Sequence, residues 1–235
     1  MCAAPIIAGM PWSSWIRTAE VEPSLYAADF SQLGTQIEIL ADAGARIFHF
    51  DVGDGHFVPP ITVGPIVLQW IAPIVHRFGG ALDCHLMVEE PAKDFAAIAE
   101  AGGDSVTFHY EAVEDVAETA SAARGHDLQV GLAFNPETSP EDAASAAGGH
   151  VDLVLCMSIH PGYSGQEFMP EALERVARLR ELVSANVHVQ VDGGVDQTNV
   201  EQLRAKGVDL FVAGTAIFGD ENPPRAYDRL ARAIR

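Results

Sequence analysis

One short stretch of the chain concentrates side chains that can do acid–base or metal chemistry. In HFDVGDGH, residues 49–56, two histidines and two aspartates fall within eight residues. Side chains along a strand alternate between its two faces, so His49 and Asp51 share one face and the neighbouring phenylalanines share the other. Asp54 and His56 follow a glycine and are predicted to lie in a loop, as turn-forming and solvated residues. His49 and Asp51 are therefore the candidates for chemistry.

Two later segments predict further polar side chains at strand ends. In LDCHLM, residues 82–87, the same alternation places His85 and Met87 on one face. In VHVQVDGG, residues 187–194, it brings Asp192 to a strand end, before two glycines that let a ligand approach the backbone. Two histidines and two carboxylates form a mixed N/O ligand set. This set suits one divalent metal ion, and it does not choose among Zn, Fe(II), Mn and Co.

The elements that must position these side chains alternate along the chain. Apolar runs predict eight strands, at residues 21–25, 46–52, 81–88, 105–109, 128–134, 153–159, 187–191 and 210–213. Amphipathic stretches predict helices at residues 30–43, 91–101, 114–124, 170–184 and 200–206. Strict alternation without a linker predicts a single α/β domain, a (β/α)8 TIM barrel over residues 21–235, preceded by an N-terminal extension, residues 1–20. A doubly wound open sheet is the alternative.

Glycine-rich segments follow the last three predicted strands, at residues 160–166, 192–194 and 213–215. Barrels often bind phosphate at the loops after strands seven and eight, through backbone N–H groups. Such a site needs no lysine, and the chain has only Lys93 and Lys206. The glycines therefore predict how a chain with so few lysines could hold an anion.

Composition excludes several classes of partner. The chain has 33 acidic and 14 basic residues, a formal charge of −19, which repels nucleic acid and anionic membranes. No apolar run is long enough for a transmembrane span, and the N-terminus lacks the basic residues of a signal peptide. Cys84 and Cys156 lie in apolar runs and are predicted to be buried reduced thiols, which favours a cytoplasmic setting.

In combination, these motifs resemble the ribulose-phosphate 3-epimerase family over roughly residues 21–218. The segments that carry the resemblance are PSL (23–25) with ADF (28–30), HFD (49–51) with DGHFVP (54–59), HLMV (85–88), MS (157–158) with PG (161–162), GQ (165–166) with Phe168, DGG (192–194) and VAGTAIF (212–218). They follow the family's pattern in order along nearly the whole predicted barrel.

The resemblance implies a barrel of the ribulose-phosphate-binding type and metal-dependent epimerisation at C3 of a ketose phosphate. The reaction would convert D-ribulose 5-phosphate to D-xylulose 5-phosphate by two-base proton transfer through a metal-stabilised enediolate. The metal ligands that it implies are His49, Asp51, His85 and Asp192, with Asp51 and Asp192 also the acid/base pair. The substrate-binding residues that it implies are Ser24, His85, Met87, Met157, Gly162, Gly165, Gly194, Gly214 and Thr215. We also expect a homo-oligomer.

Three positions depart from the family's pattern. Gly53 stands where the family usually has Met, His160 replaces Asn, and Ser164 replaces Gly. Gly53 is expected to open space at the rim of the metal site, which favours an alternative six-carbon substrate such as D-allulose 6-phosphate. An alternative of another class is a non-catalytic barrel that binds a sugar phosphate. The intact metal-ligand set argues against that alternative.

Overall fold

The computed structural model describes residues 11–235, and its sheet confirms the predicted (β/α)8 barrel. The strands are β1 (Glu20–Pro23), β2 (Ile47–Gly53), β3 (Ala81–Met87), β4 (Ser105–His109), β5 (Gln129–Phe134), β6 (Leu153–Met157), β7 (His188–Asp192) and β8 (Leu210–Ala213). All neighbouring pairs are parallel, in the order β1-β8-β7-β6-β5-β4-β3-β2. A parallel bridge between Ser24 and His49 joins the two ends of this order. The open-sheet alternative is therefore wrong.

Most of the helices connect the strands and cover the outside of the barrel. They are α1 (Trp12–Trp15), α2 (Leu33–Asp42), α3 (Pro65–Arg77), α4 (Phe95–Ala101), α5 (Val116–Arg124), α6 (Pro140–Ala147), α7 (Ala172–Leu182), α8 (Val200–Ala205), α9 (Thr215–Phe218) and α10 (Pro223–Ala233). All five predicted helices are present, although 3₁₀ turns at Phe30–Gln32 and Pro91–Lys93 precede α2 and α4. The helices α3 and α6 were not predicted; α3 contains Pro73, and α6 is short and rich in alanine.

Side-chain alternation along the strands divides the core into two layers. Phe48 and Phe50 are buried in the layer between the sheet and the helices, as predicted. Cys84 and Cys156 lie in the same layer as free, buried thiols, again as predicted. The other face of each strand points into the barrel. That face carries the buried polar residues, which include Glu22, His49, Asp83, His85, Thr107, His109 and Gln190.

The N-terminal end of the barrel is closed by apolar side chains. Trp12 and Trp15 of α1 are buried, with ring centroids 5.1 Å apart in an edge-to-face arrangement. They belong to one apolar cluster with the first residues of several strands, among them Ile47, Ala81 and Leu210. Residues 1–10 of the predicted extension lie outside the described residues. Within residues 11–235, no helix has the length and apolar character that crossing a bilayer requires.

Candidate active site

Four side chains converge at the C-terminal ends of β2, β3 and β7. They are His49, Asp51, His85 and Asp192, and their ligating atoms all lie within 4.8 Å of one another. His49 Nε2 is 3.3 Å from His85 Nδ1 and 3.4 Å from Asp51 Oδ1. His85 Nδ1 is 3.3 Å from Asp51 Oδ1 and 3.7 Å from Asp192 Oδ2. Atoms about 2.1 Å from a tetrahedrally coordinated ion lie roughly 3.4 Å apart, so this spacing fits one metal ion.

The hydrogen bonds of the two histidines also suit a cation. His49 Nδ1 lies 3.0 Å from Asp83 Oδ2, and His85 Nε2 lies 2.9 Å from His109 Nε2. These contacts engage the outer nitrogen of each ring. Neutral rings with their protons on those outer nitrogens direct their remaining lone pairs toward the two aspartates of the cluster. Two lone pairs beside two carboxylates form a donor set for a divalent cation.

Electrostatics in the cluster reflect an excess of buried carboxylates. Burial raises the pKa of Asp51, but His49 and His85 outweigh this effect and hold that pKa well below its usual value. Burial and the neighbouring Asp51 together raise the pKa of Asp192 to about 7, although His49 opposes the rise. Burial lowers the pKa of His49, yet the surrounding carboxylates raise it well above its usual value. The carboxylates of the cluster therefore create a negative potential at the point where a divalent cation would lie.

A second polar layer supports the cluster from inside the barrel. Asp83 accepts hydrogen bonds from His49 and, at 2.9 Å, from the side-chain amide of Gln190. The same amide donates to Glu22 Oε2 at 2.6 Å. Burial raises the pKa of Glu22 to about 7. Glu22, Asp83 and Gln190 were missed from the sequence, although their positions in the strands have the inward parity that identified His49 and His85.

A pocket opens above the cluster, and Asp51 and Asp192 form part of its lining. Eight of the nine predicted substrate-binding residues line it, namely Ser24, Met87, Met157, Gly162, Gly165, Gly194, Gly214 and Thr215. The ninth, His85, is buried below the lining. Lining residues that were not predicted include Tyr26, Ile159, Tyr163, Val195 and Val212. Among the described residues, no lysine or arginine lines this pocket.

Ser24 links the pocket wall to the cluster. Its hydroxyl donates to Asp51 Oδ2 at 2.7 Å. The other oxygen of that carboxylate, Oδ1, faces the two histidines. Ser24 therefore fixes the orientation in which Asp51 offers one oxygen to the cluster.

The glycines after β7 are required by close packing. Gly193 has φ +117° and Gly194 has φ +62°, a region that side chains other than glycine rarely adopt. A Cβ at Gly193 would lie 2.4 Å from Ile159, and one at Gly194 would lie 2.6 Å from the backbone nitrogen of Phe168. Both glycines thus let the segment after β6 pack against the end of β7. The prediction named only the approach of a ligand as their reason.

The expected space at Gly53 is a wrong prediction. A Cβ at Gly53 would lie 2.9 Å from Pro60 O and 3.0 Å from Val58 Cγ2. The Gly53 N–H also donates to Thr62 Oγ1 at 2.7 Å. The chain between residues 58 and 62 therefore fills the volume that the missing side chain leaves, and no room is added for a larger substrate.

Asp54 has the structural role predicted for it. Asp54 Oδ1 accepts from the backbone nitrogens of His56 and Phe57, both at 2.8 Å, and Oδ2 accepts from that of Glu89 at 2.9 Å. These bonds shape the loop after β2 and attach it to the segment after β3. The carboxylate is used in the loop and is separate from the His–Asp cluster.

The fold and the site define a (β/α)8 barrel with a His–Asp cluster at its strand ends, and the spacing of that cluster fits one metal ion. Among solved structures, KGPDC from Streptococcus mutans has a TM-score of 0.70, covering 93% of this chain and 98% of its own at 14% identity. Tryptophan synthase from Mycobacterium tuberculosis has a TM-score of 0.69, covering 93% of each chain at 17% identity. These likenesses concern the fold alone.

Sequence comparison identifies the family. The sequence profile of the ribulose-phosphate 3 epimerase family matches residues 20–218. A ribulose-phosphate 3-epimerase of Mycobacterium tuberculosis H37Rv is 38% identical over 215 residues, covering 90% of this chain and 91% of the relative. One of Escherichia coli K12 is 35% identical over 213 residues, covering 89% and 93%. The chain belongs to the ribulose-phosphate 3-epimerase family, as its motifs predict, and is an enzyme of the isomerase class.

Proposed function

We propose that the protein epimerises C3 of D-ribulose 5-phosphate to give D-xylulose 5-phosphate. The observation that carries this proposal is the pair Asp51 and Asp192, which enter one cluster from β2 and β7 at the floor of the pocket. These strands lie three steps apart around the barrel, through β1 and β8. Two carboxylates that approach from different sides suit a reaction in which a proton leaves one face of a carbon and arrives on the other.

The residues of the cluster divide the chemistry between them. In one direction a carboxylate accepts the proton from C3, and the other carboxylate delivers a proton to the opposite face. The residues that would hold a divalent ion are His49, Asp51, His85 and Asp192. When bound, such an ion supplies Lewis-acid chemistry at the ketone oxygen, which makes the C3 proton easier to remove. Ser24 would orient Asp51 through the hydrogen bond to Oδ2.

The phosphate would lie among the glycine-rich segments of the pocket. Gly165, Gly194 and Gly214 line the pocket together with Thr215, the first residue of α9. The first N–H groups of a helix have no acceptor within it, and they suit an anion. Backbone donors of this kind are consistent with a pocket that the described lysines and arginines do not line.

The alternatives receive less support. The six-carbon substrate was favoured by space at Gly53, and that volume is occupied by Val58 and Pro60. A non-catalytic sugar-phosphate-binding barrel leaves the spacing of the two histidines and two aspartates unexplained. The identity of the metal stays open among Zn, Fe(II), Mn and Co. The homo-oligomer and the cytoplasmic location stay predictions.

A substrate comparison tests the proposal. Purified protein is given D-ribulose 5-phosphate, D-allulose 6-phosphate or unphosphorylated D-ribulose in D2O, and products are followed by NMR. We expect the pentose phosphate to have the highest kcat/KM and its product to carry deuterium at C3. Binding energy from the remote phosphate positions the reacting carbon. The kcat/KM for unphosphorylated D-ribulose should therefore be much lower than that for D-ribulose 5-phosphate. A higher kcat/KM for the six-carbon phosphate, or product without solvent deuterium, would contradict the proposal.

A further inference from the structure

The two histidines of the cluster are supported in different ways. His49 Nδ1 faces the carboxylate of Asp83 directly, at 3.0 Å. His85 Nε2 faces a second imidazole, at 2.9 Å from His109 Nε2. His109 is the last residue of β4 and is fully buried. Its ring lies 5.0 Å from that of His85 between centroids, with 19° between the planes.

Only one proton can lie between the two facing Nε2 atoms, so the tautomers of the two neutral rings are linked. If His109 supplied that proton, His85 would accept it at Nε2 and carry its own proton on Nδ1. An N–H would then point into the cluster, and His85 could not be a ligand through that atom. If His85 supplies the proton, its Nδ1 presents a lone pair to the cation.

Glu111 selects between these two arrangements. His109 Nδ1 lies 3.4 Å from Glu111 Oε2, and a carboxylate there favours a proton on Nδ1. His109 then offers its Nε2 lone pair to His85. The ring of Phe57 packs against His109 in a tilted arrangement, with the centroids 4.8 Å apart, and so also restricts the imidazole.

Glu111 is itself fixed by the loop after β5. Glu111 Oε1 accepts from the backbone nitrogen of Asn135 at 2.8 Å and from the hydroxyl of Thr138. Arg175 donates to the carbonyl oxygens of the same two residues, at 2.7 and 3.2 Å. It also donates to Met157 O at 2.8 Å. The carboxylate thus belongs to a connected network that reaches the pocket wall.

We propose that His109 and Glu111 are positioning residues that set the tautomer of His85, so that its Nδ1 faces the metal ion. The inference rests on the proposed function in one respect, because it requires a divalent ion at the cluster. Neither His109 nor Glu111 belongs to the His–Asp cluster or lines the pocket. Groups in this position typically change metal affinity by 10–100-fold when they are replaced.

Metal affinity of matched variants is the first test. His109→Phe keeps an aromatic ring beside Phe57 but removes the acceptor for His85, whereas His109→Gln can keep an acceptor. We expect zinc affinity, measured by chelator competition, to fall roughly 10–100-fold in His109→Phe and less in His109→Gln and Glu111→Gln. The control is His76→Phe, which replaces a partly buried, carboxylate-paired histidine remote from the pocket. The control should bind zinc as the wild type does, and unfolding of the metal-free proteins verifies that each variant is folded.

The tautomers of the wild-type protein are the second test, and they do not depend on any variant folding. With zinc bound, nitrogen-15 NMR of the histidine rings should place the proton of His85 on Nε2 and that of His109 on Nδ1. A proton on His109 Nε2, or full zinc affinity in folded His109→Phe, would overturn the inference and leave the metal site intact. Wild-type protein that binds no divalent ion would instead remove the metal from the proposed function.

Discussion

The two ends of the barrel are built from the same strands and differ in nearly every physical property. The C-terminal end carries the His–Asp cluster and glycines at positive φ, and it opens into the pocket. At the N-terminal end, Trp12 and Trp15 cover the first residues of the strands with apolar surface. Because all eight strands are parallel, their C-terminal ends lie together on the side of the cluster and their N-terminal ends lie together on the opposite side. Substitutions at the two ends should therefore separate activity from stability.

The largest expected effect is at the C-terminal end. Asp51→Asn removes one of the two proposed proton-transfer groups and should lower kcat by about 10²–10⁴-fold, because the amide cannot accept the C3 proton. Zinc content is measured in parallel, since the same residue is a predicted ligand. The control is Asp54→Asn, whose carboxylate belongs to the loop, and it should keep most of the activity. An inactive Asp54→Asn beside an active Asp51→Asn would reverse the assignment.

At the N-terminal end the expected effect is on stability. Trp12→Ala removes a buried indole and should lower the free energy of unfolding by about 3–5 kcal/mol, measured by denaturant unfolding. The kcat of the folded fraction should not change, because the cluster lies at the other end. Trp12 Nε1 is buried without a hydrogen-bond partner among the described residues, so Trp12→Phe should cost much less. An equal loss of unfolding free energy in Trp12→Ala and Trp12→Phe would contradict the view that Trp12 stabilises the protein by filling volume.

A smaller effect is expected where the pocket is formed by backbone. A Cβ at Gly214 would lie 3.1 Å from that of Ala27 and 3.5 Å from Ser164 Oγ. Gly214→Val should therefore crowd the phosphate end and raise KM for D-ribulose 5-phosphate by about 10- to 100-fold, the equivalent of roughly 1–3 kcal/mol of overpacking. Gly64→Val is the control, because a Cβ at Gly64 meets open space. An unchanged KM in Gly214→Val would place the phosphate elsewhere.

The smallest effect concerns pH and the N-terminal end. His76 Nε2 lies 2.9 Å from Asp104 Oδ2, and this hydrogen bond raises the pKa of His76 although burial opposes the rise. Because folding raises the pKa of His76, the protonated form of His76 stabilises the folded protein. This stabilisation is fully present below the pKa of the unfolded state, about 6.5, and is lost as the pH rises through the pKa of the folded state.

Replacing His76 by Gln keeps a donor for Asp104 but removes the titration. We expect His76→Gln to be less stable than the wild type by on the order of 1 kcal/mol or less near pH 6, with the difference shrinking by pH 9. Denaturant unfolding at the two pH values measures it. A stability difference that grows with pH would contradict an ion pair between His76 and Asp104. The kcat of His76→Gln should match that of the wild type at both pH values.

Site residues could be predicted where the pattern that identifies them is local in the sequence, and they were missed where their role depends on distant contacts. His49, Asp51 and His85 could be identified because two-residue alternation is a local property of a strand. The same rule applied to Asp83 and His109, but these residues matter because of their contacts with His49 and His85. Those partners lie 34 and 24 positions away in the sequence, respectively. Gly53 was misread for a related reason. Whether a missing side chain leaves space depends on where residues 58–62 return, and the residue type does not determine that.

Local patterns were enough to predict the barrel, the family and the convergence of four polar side chains, because apolar periodicity, glycine punctuation and strand-end motifs can all be recognised in short segments. Which buried polar groups meet became visible only in the folded structure. The contact of Gln190 with Glu22 spans 168 residues and depends on the register around the barrel. The folded structure also decided that Trp12 closes the barrel and that Glu111 fixes His109. These contacts join segments whose local sequences are independent, so only packing and hydrogen bonding in three dimensions select them.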